Sequence, residues 1–188
     1  MDIDIDLADR SKLLALIKHH KATLSNGQPH NTGIYFTKIP HDPVTNQASI
    51  DYIDAQNRGY FKLDFLNLNL YKQIKNKKHL DELANREPLW ELLEHAEFVK
   101  QLFHLSDHLS LLKKTKPKSL KQLAAVLSMI RPGKQHYADK PWEIIYKNIW
   151  KDSHNSDFSF KKSHAFAYAK VVIVHMNLIC EQLLSNDV

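Results

Sequence analysis

Hydrophobic and polar residues alternate without a break from Asp2 to Leu7. Ile3, Ile5 and Leu7 take one side of an extended chain and Asp2, Asp4 and Asp6 the other, which predicts a strand with one buried face. Asp9 is placed to cap a helix running from about Arg10 to Ala22, with an apolar stripe of Leu13, Leu14, Leu16 and Ile17. After a polar loop at Ser25–Pro29, Gly33–Ile39 and Ala48–Asp54 read as short strands around a turn at His41-Asp42-Pro43. Gly59 opens another alternating run, Tyr60–Phe65, in which Phe61, Leu63 and Phe65 face one way and Tyr60, Lys62 and Asp64 the other. From Leu68 onward the period changes to that of helices. These are expected over Leu68–Lys77, His79–Ala84, Pro88–Glu94 and Phe98–Leu112. After a basic linker at Lys113–Lys118, Ser119 caps a helix through Ile130, stopped by Arg131-Pro132-Gly133. Pro141 starts a helix to Trp150, Lys151–Ser159 is a polar loop, and Ser163 caps a long last helix to about Leu184. No internal repeat is present.

This order predicts an α+β protein. Residues 1–70 form a small mixed or antiparallel sheet with one helix, and residues 71–188 a mostly helical lobe, with the boundary near Leu70.

Composition narrows the partners. The chain of 188 residues is 43% hydrophobic and carries a net charge of +5, which favours a packed core and polyanionic partners. Its one cysteine, Cys180, excludes an internal disulfide and a thiolate zinc site. The acidic start is unlike a signal peptide, and uninterrupted apolar runs such as Val171–Val174 are short for a membrane span; the expectation is a cytoplasmic protein with no membrane partner.

The candidate chemistry lies in the carboxylates. On a strand, Asp2, Asp4 and Asp6 stand about 6.5–7 Å apart in succession on one face. Like charges so placed repel, and two divalent ions would offset that repulsion, as in two-metal phosphoryl transfer. An Asp-x-Asp strand with one carboxylate from a neighbouring strand suits Mg²⁺, which takes few protein carboxylates and completes its shell with phosphates and water. Asp64, on the Lys62 face of its strand, is the natural third member. A solvated acidic edge strand is the plain alternative. The spacing of His104 and His108 fits a shared metal on a helix, but no third ligand accompanies them, and they read as surface histidines. Trp90, Trp142 and Trp150 read as core residues at helical spacing.

Five segments occur in a fixed order: Asp2-Ile3-Asp4-Ile5-Asp6-Leu7 with Arg10 behind it; His30-Asn31-Thr32-Gly33; Gly59-Tyr60-Phe61-Lys62-Leu63-Asp64-Phe65-Leu66-Asn67-Leu68; Leu123–Gly133, ending in Arg-Pro-Gly; and Phe160-Lys161-Lys162-Ser163-His164-Ala165-Phe166-Ala167-Tyr168-Ala169. In this the chain resembles the palm and fingers of the bacterial DNA polymerase III alpha subunit, the C-family replicative polymerase, from Asp2 to about Leu178. The resemblance implies that Asp2, Asp4 and Asp64 hold two Mg²⁺ ions (Mn²⁺ as a substitute) and that Lys62 lies near the nucleotide and the primer end. It implies that Arg131, Lys162, Ser163 and His164 face the incoming dNTP and the primer–template DNA, the last three at a helix N-terminus suited to phosphate. The family's Gly-Ser motif, which holds the triphosphate, lies upstream of its aspartate strand and has no counterpart here. Its Phe-Gln-x-Glu-Ser reads Phe103-His104-Leu105-Ser106-Asp107, and the Gly after Phe-Leu is Asn67. The expectation is therefore a polymerase fragment or split subunit in DNA replication, with a second polypeptide supplying the rest of the palm, at a size that suits a phage gene. The rivals are a non-catalytic DNA-binding accessory or inhibitor built on the same fold and, behind it, a metal-dependent nuclease.

Overall fold

The structure is a computed structural model describing residues 3–151 and 161–186. The fold is α+β. The chain forms two compact units, dividing after Lys75 rather than after Leu70.

The first unit holds a five-stranded mixed sheet. Its strands are β1 (Ile3–Leu7), β2 (His20–Thr23), β3 (Pro29–Tyr35), β4 (Gln47–Asp51) and β5 (Leu63–Asn67), in the order β1-β5-β3-β2-β4. β1 runs parallel to β5 and β2 parallel to β4; β3 is antiparallel to both β5 and β2. Asp9 caps α1 (Arg10–Leu14) as expected, accepting from the Ser11 N–H at 3.0 Å. That helix is shorter than the expected Arg10–Ala22, because residues 20–23 join the sheet. Leu16, counted in the apolar stripe, is 84% exposed, whereas Ala22 is fully buried with Tyr35, Ile39, Ala48 and Ala55. His20 is buried in β2 because Asn46 satisfies it: the Asn46 Nδ2 donates to the His19 carbonyl, so its Oδ1 accepts from His20 Nδ1 at 2.7 Å. β3 begins at Pro29, ahead of the expected Gly33. β4 stops at Asp51, which caps a second helix, α2 (Tyr52–Asn57), where the strand had been expected to run to Asp54. β5 starts at Leu63, where pairing to β1 and β3 begins, and not at Tyr60.

The second unit is helical among its described residues: α3 (Lys77–Asn85), α4 (Ala96–Val99), α5 (Leu109–Thr115), α6 (Leu120–Met129), α7 (Trp142–Asn148) and α8 (Lys162–Asn186), with short 3₁₀ segments at Trp90–Glu94 and Pro132–Tyr137. Ser119 caps α6, accepting from the Gln122 N–H at 3.2 Å. Every α6 residue from Leu123 to Met129 is buried, so this helix is wrapped by the core on all sides. α8 packs along it. By length and composition α8 would reach across a bilayer; 56% of its apolar window is buried within the unit, which gives those residues a core. Asn177 on α8, 3% exposed, closes the end of α3 by donating to the carbonyls of Leu83 and Arg86, both at 2.9 Å. The helix expected over Phe98–Leu112 is broken: His104 takes a left-handed backbone (φ 60°), which no continuing helix permits, and α5 restarts at Leu109. The loop expected at Lys151–Ser159 lies almost wholly outside the described residues.

Candidate metal and phosphoryl-transfer site

The first unit gathers the sequence motifs at one place on the sheet. In the parallel register Asp4 lies opposite Asp64, so both carboxylates leave the same face, roughly 5 Å apart by strand spacing. Asp64 is also opposite Gly33 of β3, which places it mid-sheet, flanked on both sides. It is 8% exposed.

The partners of Asp64 come from two of the motifs. The Thr32 hydroxyl donates to Oδ1 at 2.7 Å, and the Lys62 ammonium donates to Oδ2 in a buried ion pair. Gly33 makes this geometry attainable: a Cβ there would stand 2.8 Å from Lys62 Cδ, 3.0 Å from His30 Nδ1 and 3.1 Å from Ala22 Cβ. The His-x-x-Gly spacing is equally local in origin. His30 Nδ1 accepts from the Gly33 N–H at 2.9 Å and the Thr32 N–H at 3.3 Å, which pins the turn that presents Thr32. A nitrogen accepting those bonds carries no proton, so its 3.7 Å approach to Asp64 Oδ1 is not an ion pair. Burial holds the His30 pKa below its usual value, with Lys62 and Arg10 acting the same way and Asp64 opposing.

Arg10 ties the strands together. Its backbone N–H donates to Asn67 Oδ1 at 2.7 Å, and its guanidinium donates to the Phe65 carbonyl at 3.0 Å and to the Asn31 carbonyl. Asn67 thus serves the start of α1. Asp6 continues the acidic face of β1. Burial and then Asp4 raise its pKa, and its Oδ1 is buried with no hydrogen-bond partner among the described residues. Nearby, burial and Asp6 raise the Tyr71 pKa. Tyr35, fully buried on β3, is pushed to about 12 by burial, with Asp51 and Asp64 adding to it.

Asp4, Lys62 and Asp64 therefore share one neighbourhood, and Asp2 lies outside the described residues. Among the described residues no group of three His, Cys, Asp or Glu side chains clusters as a metal cage. Two opposed carboxylates and an orphaned Asp6 oxygen still fit Mg²⁺, which keeps most of its shell for water and phosphate. The residues that the resemblance assigns to fingers motifs, Arg131, Lys162, Ser163 and His164, belong to the second unit. Arg131 is exposed and precedes the 3₁₀ segment at Pro132. Lys162, Ser163 and His164 form the first turn of α8, so Ser163 stands inside the helix and is not its cap.

Thr32 is the residue that sequence reasoning passed over. Its hydroxyl sits within a motif that was already legible, but only the β3–β5 register sets it against Asp64. No protein-family model matches the chain, and no curated protein matches it either.

Proposed function

We propose that the first unit is the palm-like centre of a DNA polymerase fragment or split subunit, adding dNTPs to a primer 3′-end, and that the second unit is its fingers-like lobe. One observation carries this reading: Asp4 and Asp64, far apart in sequence, are opposed in register on one sheet face, with Lys62 beside them. Asp4 and Asp64, with Asp2, would hold the Mg²⁺ ions, which when bound supply charge stabilisation to phosphoryl transfer. The protein's own part is positional. Thr32 fixes the Asp64 carboxylate through Oδ1, Lys62 balances its charge through Oδ2, His30 holds the turn that carries Thr32, and Arg10 ties α1 to β5 and β3. Lys162, Ser163, His164 and Arg131 are assigned to the dNTP and the DNA by the resemblance alone.

A second reading has its own support. Asp64 is satisfied by Lys62 and Thr32 without any divalent ion, as expected if the fold were retained for binding only. Primer extension separates the two, run with the isolated chain and with any polypeptide encoded beside it that could complete the palm. The polymerase reading expects extension that Asp4→Asn and Asp64→Asn each abolish while salt-sensitive DNA binding persists. DNA binding without extension in either preparation establishes the accessory module. Extension that survives Asp4→Asn refutes the site.

A further inference from the structure

Asp64 carries a cation supplied by the chain itself. The Lys62 ammonium donates to Oδ2 and the Thr32 hydroxyl donates to Oδ1 at 2.7 Å, so each carboxylate oxygen has a protein partner. Both side chains of the ion pair are nearly buried, 12% exposed for Lys62 and 11% for Asp64. His30 also approaches Oδ1, but its Nδ1 accepts the Gly33 N–H and the ring is neutral, so Lys62 is the charge that balances Asp64.

The lysine stem crosses Gly33 so closely that a Cβ there would stand 2.8 Å from Lys62 Cδ. Two torsions, about Cγ–Cδ and Cδ–Cε, still set where the ammonium lies. Turning them carries it off Oδ2 while the rest of the stem stays on β3, as the flexible lysine chain allows. A divalent ion cannot simply join this arrangement. Mg²⁺ bonds a carboxylate oxygen at about 2.0–2.1 Å, and an ammonium on the same oxygen would lie within roughly 4 Å of it. A double and a single positive charge repel twice as strongly as two single ones, and burial removes the water that would screen them. An ion held between Asp64 and Asp4, its opposite in the β1–β5 register, therefore contends with Lys62 for the Asp64 carboxylate.

We propose that Lys62 is a placeholder for the metal: it neutralises Asp64 in the metal-free protein and leaves Asp64 when a divalent ion binds there with Asp4. This role rests on the metal reading of the site and adds its regulation. Thr32 keeps its bond to Oδ1 throughout, which holds the carboxylate in one orientation during the exchange. The freed ammonium becomes available to an anion at the same place. Metal and anion then each strengthen the binding of the other, because a coupling between two ligands is reciprocal. Without them the lysine spares the protein a buried, unpaired carboxylate.

The test is Mn²⁺ titration of the full chain, followed by the electron paramagnetic resonance of the ion, with mass-spectrometric mapping of lysine acetylation in the presence and absence of Mg²⁺. Lys62→Met is expected to bind Mn²⁺ about tenfold or more tightly than wild type, since the competitor is gone; a lysine that only supports the fold would leave the affinity unchanged or lower it. Mn²⁺ should also raise the urea midpoint of Lys62→Met more than that of wild type. In the wild type, Lys62 should be acetylated slowly without metal and severalfold faster with Mg²⁺, while the exposed Lys77 and Lys78 do not respond. In Asp64→Asn, Lys62 should be acetylated readily without metal and show no response to Mg²⁺. Should Lys62→Met fail to fold, acetylation of wild type and Asp64→Asn carries the test. Mn²⁺ binding that is equal or weaker in Lys62→Met overturns the placeholder and leaves the metal reading standing, as does Mg²⁺ binding that leaves Lys62 protected. Absence of Mn²⁺ binding at millimolar concentration in both proteins removes the metal site itself, and the placeholder with it.

Discussion

Gly33→Ala tests the architecture of the carboxylate site most directly. The backbone there is not left-handed, so alanine is conformationally allowed, and restricting the unfolded chain should stabilise by about 0.4–1 kcal/mol. Against that gain stand three contacts. The new methyl would lie 2.8 Å from Lys62 Cδ, closer than van der Waals packing permits, so the lysine stem must move and its pairing with Asp64 weakens. It would also press on His30 Nδ1, which accepts the Gly33 N–H, and on Ala22 Cβ, which is tethered to the backbone of β2 and fully buried. Overpacking of this kind costs about 1–3 kcal/mol. The net expectation is a destabilisation of about 1–2 kcal/mol, read as a lower urea midpoint with unchanged slope. Lys62→Ala removes the Cδ, so in a double-mutant cycle Gly33→Ala should cost less in that background, with a coupling of about 0.5 kcal/mol or more. A Gly33→Ala protein as stable as wild type, or a cycle with no coupling, would show that Lys62 does not pass over Gly33 and would refute the account of how the motifs meet.

Two further predictions concern the helical unit. Asn177→Ala leaves the Leu83 and Arg86 carbonyls without their buried donor and should cost roughly 2–4 kcal/mol in urea unfolding; Asn177→Asp, which cannot donate, should rescue nothing. His175 accepts from the Phe103 N–H at 3.2 Å, and burial lowers its pKa, so the folded protein binds this proton less readily than the unfolded chain. Its contribution to stability is therefore complete above the unfolded value near 6.5 and is lost as pH falls toward the depressed folded value, in the same sense as for His30 and His104. Urea midpoints should drop between pH 7.5 and 5.5, and His175→Gln should flatten the drop; an identical pH profile in the variant counts against the assignment.

Local pattern determined a good deal of this protein. The two-residue period of Ile3–Leu7 specified β1, the Asp9 and Ser119 side chains set the starts of α1 and α6, and the shift to helical spacing after Leu68 separated a sheet-bearing unit from a helical one. These features depend on neighbours a few residues away, and a side chain that bonds the next turn is readable from spacing alone. Where the element depended on a distant partner, pattern misled. Leu13, Leu14, Leu16 and Ile17 looked like a long helix, yet β2 forms from His20 because β3 and β4 pair with it and Asn46 satisfies its buried imidazole. His104 and His108 looked like helical neighbours, yet a left-handed backbone separates them and a cleft reunites them. The site divides along the same line. Its residue types were written in the motifs Asp-x-Asp, His-x-x-Gly and Lys-x-Asp. Their convergence was decided by the order β1-β5-β3, which sets Asp4 against Asp64 and Gly33 beside it. Strand order is a property of the whole sheet, settled by which pairing buries most apolar surface and satisfies most backbone bonds, and no local stretch of sequence carries that sum.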